Sequence, residues 1–180
     1  MQFFYSETLC SMSETEEQVA LLLSLLNTSS GSLPRHKAAL CVMYDTGCNV
    51  QELCDLIMSS IKCDGQSAKI IFYGKGSKRR ILSVSDATAS VIRSYIIEHR
   101  YEAPPEAYFL VSQSHHGFKH AGISHILKKY AETARNIDPN FPETVNCQML
   151  RNSHAIHMLS HGGSLKTVRA KLGHYSSLSL

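Results

Sequence analysis

Ser67–Val84 reads SAKIIFYGKGSKRRILSV, and its period sets it apart from the rest of the chain. Two β-rich runs flank Gly74-Lys75-Gly76-Ser77, the pattern of a hairpin with an exposed basic tip. Alternation along the second run puts Lys78 and Arg80 on one side, as on a strand edge that tracks phosphates. A solvated face is the plainer alternative for the same charge run.

Outward from this hairpin the apolar spacing is helical. Asn49–Ile57, NVQELCDLI, places Val50, Leu53, Cys54 and Ile57 on one face, which predicts a short, half-buried helix. Before it, Pro34 is suited to open a helix carrying Ala38, Ala39, Leu40, Val42 and Met43, ended at Thr46-Gly47. Ser13 to Glu16 reads S-x-x-E, a capping box that predicts a helix running to about Leu26. Residues 1–12 then form a tail or a junction between domains.

Downstream, Ser85–Arg100 returns to helical spacing with Ser85 or Asp86 as its cap. EAPPEA breaks the chain, and YFLVS (Tyr108–Ser112) fits either a strand or an irregular core segment. Further helices are expected at about Ala121–Arg135, Asn146–His161 and Ser164–Leu172, the last stopped by Gly173. The expected class is α+β, mainly helical, with one small antiparallel sheet in a single domain over residues 13–180.

Composition narrows the setting. At 180 residues and a net charge of +3 the chain can bury one respectable core, and its mild basicity permits nucleic-acid binding without demonstrating it. Cys10, Cys41, Cys48, Cys54, Cys63 and Cys147 form no CxxC pair, and several sit in apolar runs, so they read as reduced thiols of a cytoplasmic protein. The longest apolar run, Val19–Leu26, is interrupted by Ser24 and is too short to cross a bilayer, so no membrane partner is expected. SQSHHGFKH, with His115, His116 and His120, has no cysteine or carboxylate at ligand spacing and reads as a polar loop, not a metal site. No cofactor motif is present.

Four stretches carry a further signal: YDTGCNVQEL (Tyr44–Leu53), IIFYGKGSKRRILSV (Ile70–Val84), CQMLRNSHAIHML (Cys147–Leu159) and VRAKLGH (Val168–His174). In this order they resemble the catalytic domain of the tyrosine recombinases, the phage-integrase family of site-specific DNA recombinases. The resemblance covers nearly the whole chain and implies a helical catalytic domain of that type. It also implies double-stranded DNA as partner, a homo-tetramer on that DNA, and strand breaking and rejoining through a 3′-phosphotyrosine. An integrase or transposon recombinase of a mobile element is the corresponding role.

The chemistry requires fixed cations around a phosphate that gains negative charge, and a proton for the departing 5′ oxygen. By resemblance Lys75 is the proton donor at the hairpin tip, Arg151 the family's second arginine, and His174 the histidine that donates to the phosphate. Taken without the resemblance, these three also fit a turn lysine, a surface arginine and a helix-end histidine. Lys75, Lys78, Arg80, Arg151 and His174 are the expected DNA contacts.

Two positions depart from the family. Asn49 stands where the first catalytic arginine belongs, and Gln148 where the family has a histidine or lysine; neither asparagine nor glutamine carries charge or titrates. His154 and His157 do not obviously replace Gln148. Tyr175 is too close to His174 to be the nucleophile and reads as a packing or surface aromatic, so the nucleophilic tyrosine is expected beyond Leu180. The chain as given is therefore expected to be inactive in cleavage. A DNA-binding module that has lost the chemistry, and a helical protein-interaction domain, are the competing readings.

Overall fold

The computed structural model describes residues 15–28, 34–74 and 79–173. Seven helices are present among these: α1 (Glu16–Thr28), α2 (Pro34–Thr46), α3 (Val50–Cys54), α4 (Asp86–His99), α5 (His120–Arg135), α6 (Cys147–Ser160) and α7 (Leu165–Leu172). A three-stranded antiparallel meander, β1 (Ile61–Asp64), β2 (Ser67–Tyr73) and β3 (Arg79–Ser83), lies between α3 and α4. The expected class, mainly helical with one small sheet, is what the chain forms.

Local chemistry explains most boundaries. α1 opens with a capping box made by Thr15 and Gln18: Thr15 Oγ1 accepts the Gln18 amide at 3.2 Å, and Gln18 Oε1 accepts the Thr15 amide at 3.0 Å. The box expected from Ser13 lies outside the described residues. Ser85, not Asp86, caps α4, with Oγ accepting the Thr88 amide at 3.3 Å. Asn146 caps α6 and Ser164 caps α7 in the same way. Gly173 closes α7 in the left-handed conformation at φ 73°, as a C-terminal glycine does.

α2 is the hub, in contact with α1, α3, α4, α5 and α6. Its Ala38, Ala39, Leu40, Val42 and Met43 are fully buried, and the alanines let neighbouring helices approach closely. Burying side chains of the Leu, Ile and Phe size stabilises by about 1.5–3 kcal/mol each, so this core dominates the fold's stability. None of the described helices is long and apolar enough to cross a membrane.

The sheet pairs Ile70 with Leu82 and Phe72 with Arg80, and these four side chains with Ala68 are buried on its inner face. Ile81 and Tyr73 stand exposed on the other face. The third strand, β1, was not legible in the sequence: IKCD buries only its first residue and carries no alternation of its own. YFLVS forms no strand. It holds two isolated bridges, Ile57 to Tyr108 and Val111 to Gly117, while Phe109 and Leu110 fill the core.

Candidate functional site: a shared carboxylate between two arginines

The site is assembled where the turn after α2, strand β3, helix α6 and the end of α7 meet. Gly47, at φ 60°, turns the chain out of α2 in a conformation that other residues avoid. A Cβ there would stand 2.6 Å from Cδ2 of His154 and 2.8 Å from Cδ2 of Leu172, so the turn is also packed too tightly for one. Cys48 follows, fully buried, its thiol pushed up to about 12 by burial, so it stays an inert apolar filler.

Asn49 then caps α3. Its Oδ1 accepts the Glu52 amide at 2.8 Å, while Glu52 Oε2 accepts the Asn49 amide at 2.9 Å, a complete capping box. At position 49, where the resemblance would put the family's first arginine, the chain therefore has an exposed side chain committed to its own helix end. N-x-x-E at positions 49–52 was a readable signal for this role.

The box fixes Glu52 as the centre of the site. Its carboxylate takes Arg80 end-on, Nη1 to Oε1 at 2.5 Å and Nη2 to Oε2 at 2.8 Å, with Arg151 Nη1 at 3.8 Å from Oε2. Burial pushes the Glu52 pKa up, but the hydrogen bonds from Arg80 and the Asn49 amide and the charges of both arginines outweigh it. The carboxyl is held below its ordinary range. Two guanidinium groups share this one carboxylate, so the trio carries one positive charge.

Arg151 sits on α6, in the second turn after the Asn146 cap. Nη1 donates to Gly47 O and Nη2 to Leu172 O, both at 2.6 Å. It thus ties the turn after α2 to the last residue of α7. Burial draws its pKa down, against the pull of Glu52. It is as buried as Arg80, with 7% and 8% exposed respectively.

Arg80 differs from its expected place on an open basic edge. The strand alternation is as expected, but the side containing Arg80 and Leu82 is the inner one. Its guanidinium lies 4.7 Å over the Phe72 ring, a cation–π contact, and a Cβ on Gly173 would come within 2.9 Å of Nη1. Lys75, Lys78, His174 and Tyr175 lie outside the described residues.

The other named side chains play different parts. Gln148 is exposed and its Nε2 donates to Asn152 Oδ1 at 2.9 Å along the surface of α6. His154, one turn after Arg151, is buried against Gly47 and edge-on to Tyr44, and burial holds its pKa down at about 4, so the ring is neutral at pH 7. His157 Nδ1 lies 2.7 Å from the Tyr44 hydroxyl. Among the described residues no three His, Cys, Asp or Glu side chains are grouped as metal ligands.

Glu52 was missed at the sequence level, since a carboxylate repels phosphate; its role appears only once the two arginines are seen on it. The trio gathers two guanidinium groups, the side chain suited to phosphate, around one carboxylate and keeps a surplus positive charge.

Comparison with known proteins agrees with this architecture. The phage integrase family model matches residues 14–179. Tyrosine recombinase XerC of Lacticaseibacillus casei (strain BL23) is 32% identical over 186 residues, covering 97% of this chain and 55% of that protein. Tyrosine recombinase XerD of Halalkalibacterium halodurans is 32% identical over 157 residues, covering 84% of this chain and 50% of its own length. This chain spans about half the length of these curated relatives. Among solved structures, XerA recombinase superposes with a TM-score of 0.77 at 23% identity, over 91% of this chain and 56% of that one. XerH site-specific recombinase bound to its difH substrate superposes at 0.76 and 20% identity, over 92% of this chain and 48% of that one. With the four motifs converging on one site inside this fold, the chain belongs to the phage integrase family and has the fold of a tyrosine recombinase catalytic domain.

Proposed function

We propose that this chain is the catalytic domain of a DNA recombinase, an integrase or transposon recombinase of a mobile element. It would act in the cytoplasm as a homo-tetramer on duplex DNA. The observation that carries this reading is the buried Arg80–Glu52–Arg151 cluster, held where all four family motifs meet and left with one positive charge. In this reading Arg151 grips the scissile phosphate, Lys75 protonates the 5′ oxygen, and His174 donates to the phosphate. A tyrosine hydroxyl would attack phosphorus, losing its proton to solvent and forming the phosphotyrosyl bond as the 5′ oxygen leaves with the lysine's proton. Lys78 would contact the DNA backbone.

Asn49 favours a second reading, a DNA-binding module without cleavage chemistry, because its side chain is used as a helix cap. Losing one preorganised donor at a developing oxyanion costs about 3 kcal/mol, a hundredfold or more in rate.

The two readings separate in one experiment. Duplex binding should weaken as salt rises, since phosphate contacts release counterions; absence of binding at low salt excludes both. The protein is then incubated with a nicked suicide duplex. A covalent adduct supports the recombinase, whereas no adduct from the natural protein and an adduct from Asn49→Arg establishes the inactive module.

A further inference from the structure

We propose that Arg80 supplies to the bound DNA phosphate the second guanidinium that position 49 lacks, delivered from β3 instead of from the turn after α2. This assignment rests on the duplex-DNA reading above and goes beyond a backbone-tracking role.

Position comes first. Glu52 Oε2 accepts both the Asn49 amide, at 2.9 Å, and Arg80 Nη2, at 2.8 Å. The guanidinium therefore lies one shared oxygen away from the backbone of residue 49. It is also beside Arg151, which draws on the same oxygen at 3.8 Å. Two planar donors flank one carboxylate, as a clamp on a tetrahedral anion requires.

Charge is the second argument. Were Arg80 only a brace for Glu52, one arginine would suffice, because a single guanidinium already neutralises a single carboxylate. A second buried guanidinium leaves surplus charge in a poorly solvated place, which is unfavourable unless an anion joins it. The Phe72 ring offsets part of this and no more, since a ring quadrupole is a weaker partner than a charge.

Unused donors are the third. Glu52 engages Nη1 and Nη2 end-on, and Arg80 Nε is buried with no hydrogen-bond partner. A guanidinium has five N–H donors, so this pairing leaves capacity for further acceptors. Gly173 makes room: its backbone passes the guanidinium where a Cβ would stand 2.9 Å from Nη1. The end of α7 thus comes up to Arg80 without a side chain to displace it.

The test compares salt dependence of binding to one short duplex. Arg80→Gln keeps a polar group for Glu52 but removes the charge. It should weaken binding about tenfold at low salt and lower the slope of log K against log salt by about one counterion. Adding Asn49→Arg to that variant should restore the slope, because the cation returns to the same phosphate from its neighbouring position. An unchanged slope in Arg80→Gln, or a lost slope that Asn49→Arg fails to restore, overturns the assignment while wild-type binding leaves the DNA reading standing. A wild-type chain without salt-dependent binding removes both. If Arg80→Gln does not fold, the Arg80 Nε–Hε resonance of the unmutated chain decides. It shifts on titration with inorganic phosphate if Arg80 is an anion ligand and stays in place if it only braces Glu52.

Discussion

Asn49 shows how a helix cap can organise a charged site. Its Oδ1 satisfies the Glu52 amide, and the same box places the Glu52 carboxylate for both arginines. Asn49→Ala should therefore cost about 1 kcal/mol of stability, the usual worth of such a cap, read as a shift in the urea midpoint. Asn49→Arg, which also lacks the Oδ1 acceptor, should carry a similar penalty whatever it does to DNA. Gly47 is less forgiving. Gly47→Ala combines a left-handed backbone with a collision against His154 and Leu172, and should destabilise by roughly 2 kcal/mol or more. A Gly47→Ala chain with an unchanged urea midpoint would show that the turn relaxes around it.

At the scale of elements, the weakest link is α7. It buries only Val168 from its own sequence, so its docking depends on its termini. Arg151 holds one of them through Leu172 O, and the same guanidinium holds Gly47 O. Arg151→Lys keeps the charge but loses the fork that reaches two carbonyls at once. Amide exchange should then quicken across Leu165–Leu172 while α2 stays protected, a contrast that native-state hydrogen exchange resolves. Arg151→Ala leaves two carbonyls unsatisfied and should cost about 3 kcal/mol by chemical denaturation. The elements were largely visible beforehand, because Ser85, Asn146, Ser164 and Gly173 punctuate helices through local chemistry. β1 was not, because a strand with one buried residue exists only through its partner β2.

For the whole molecule, one buried and one half-buried histidine tie stability to acid. His154 and His36 are both held down at about 4, chiefly by burial. An unfolded chain takes up these protons near pH 6.5 and the folded one does not, so the unfolded state binds more protons between about 6.5 and 4. Stability is then full above pH 6.5 and falls as the pH drops through that window. The Glu52 carboxyl, held below its ordinary range, pulls in the same direction at lower pH. Melting temperature should decline from pH 7 to pH 4.5, and His154→Gln should flatten the decline; a pH-independent melting temperature would contradict the buried, neutral ring.

What the sequence determined by itself was the class of fold and the family. Periodicity and caps are local, and the four motifs are short linear patterns, so both survive without coordinates. It also put an uncharged residue, Asn49, just after the Gly47 turn. Only the tertiary structure decided which charged side chains gather beside that turn. β3 alternation leaves open whether the side bearing Arg80 faces the core, and in the fold it faces inward, with Arg80 paired to Glu52 and over Phe72. Glu52 and Arg80 are 28 residues apart, and they meet because the meander folds back over the turn after α2. Contacts of that range are set by how the elements pack, which no local pattern carries.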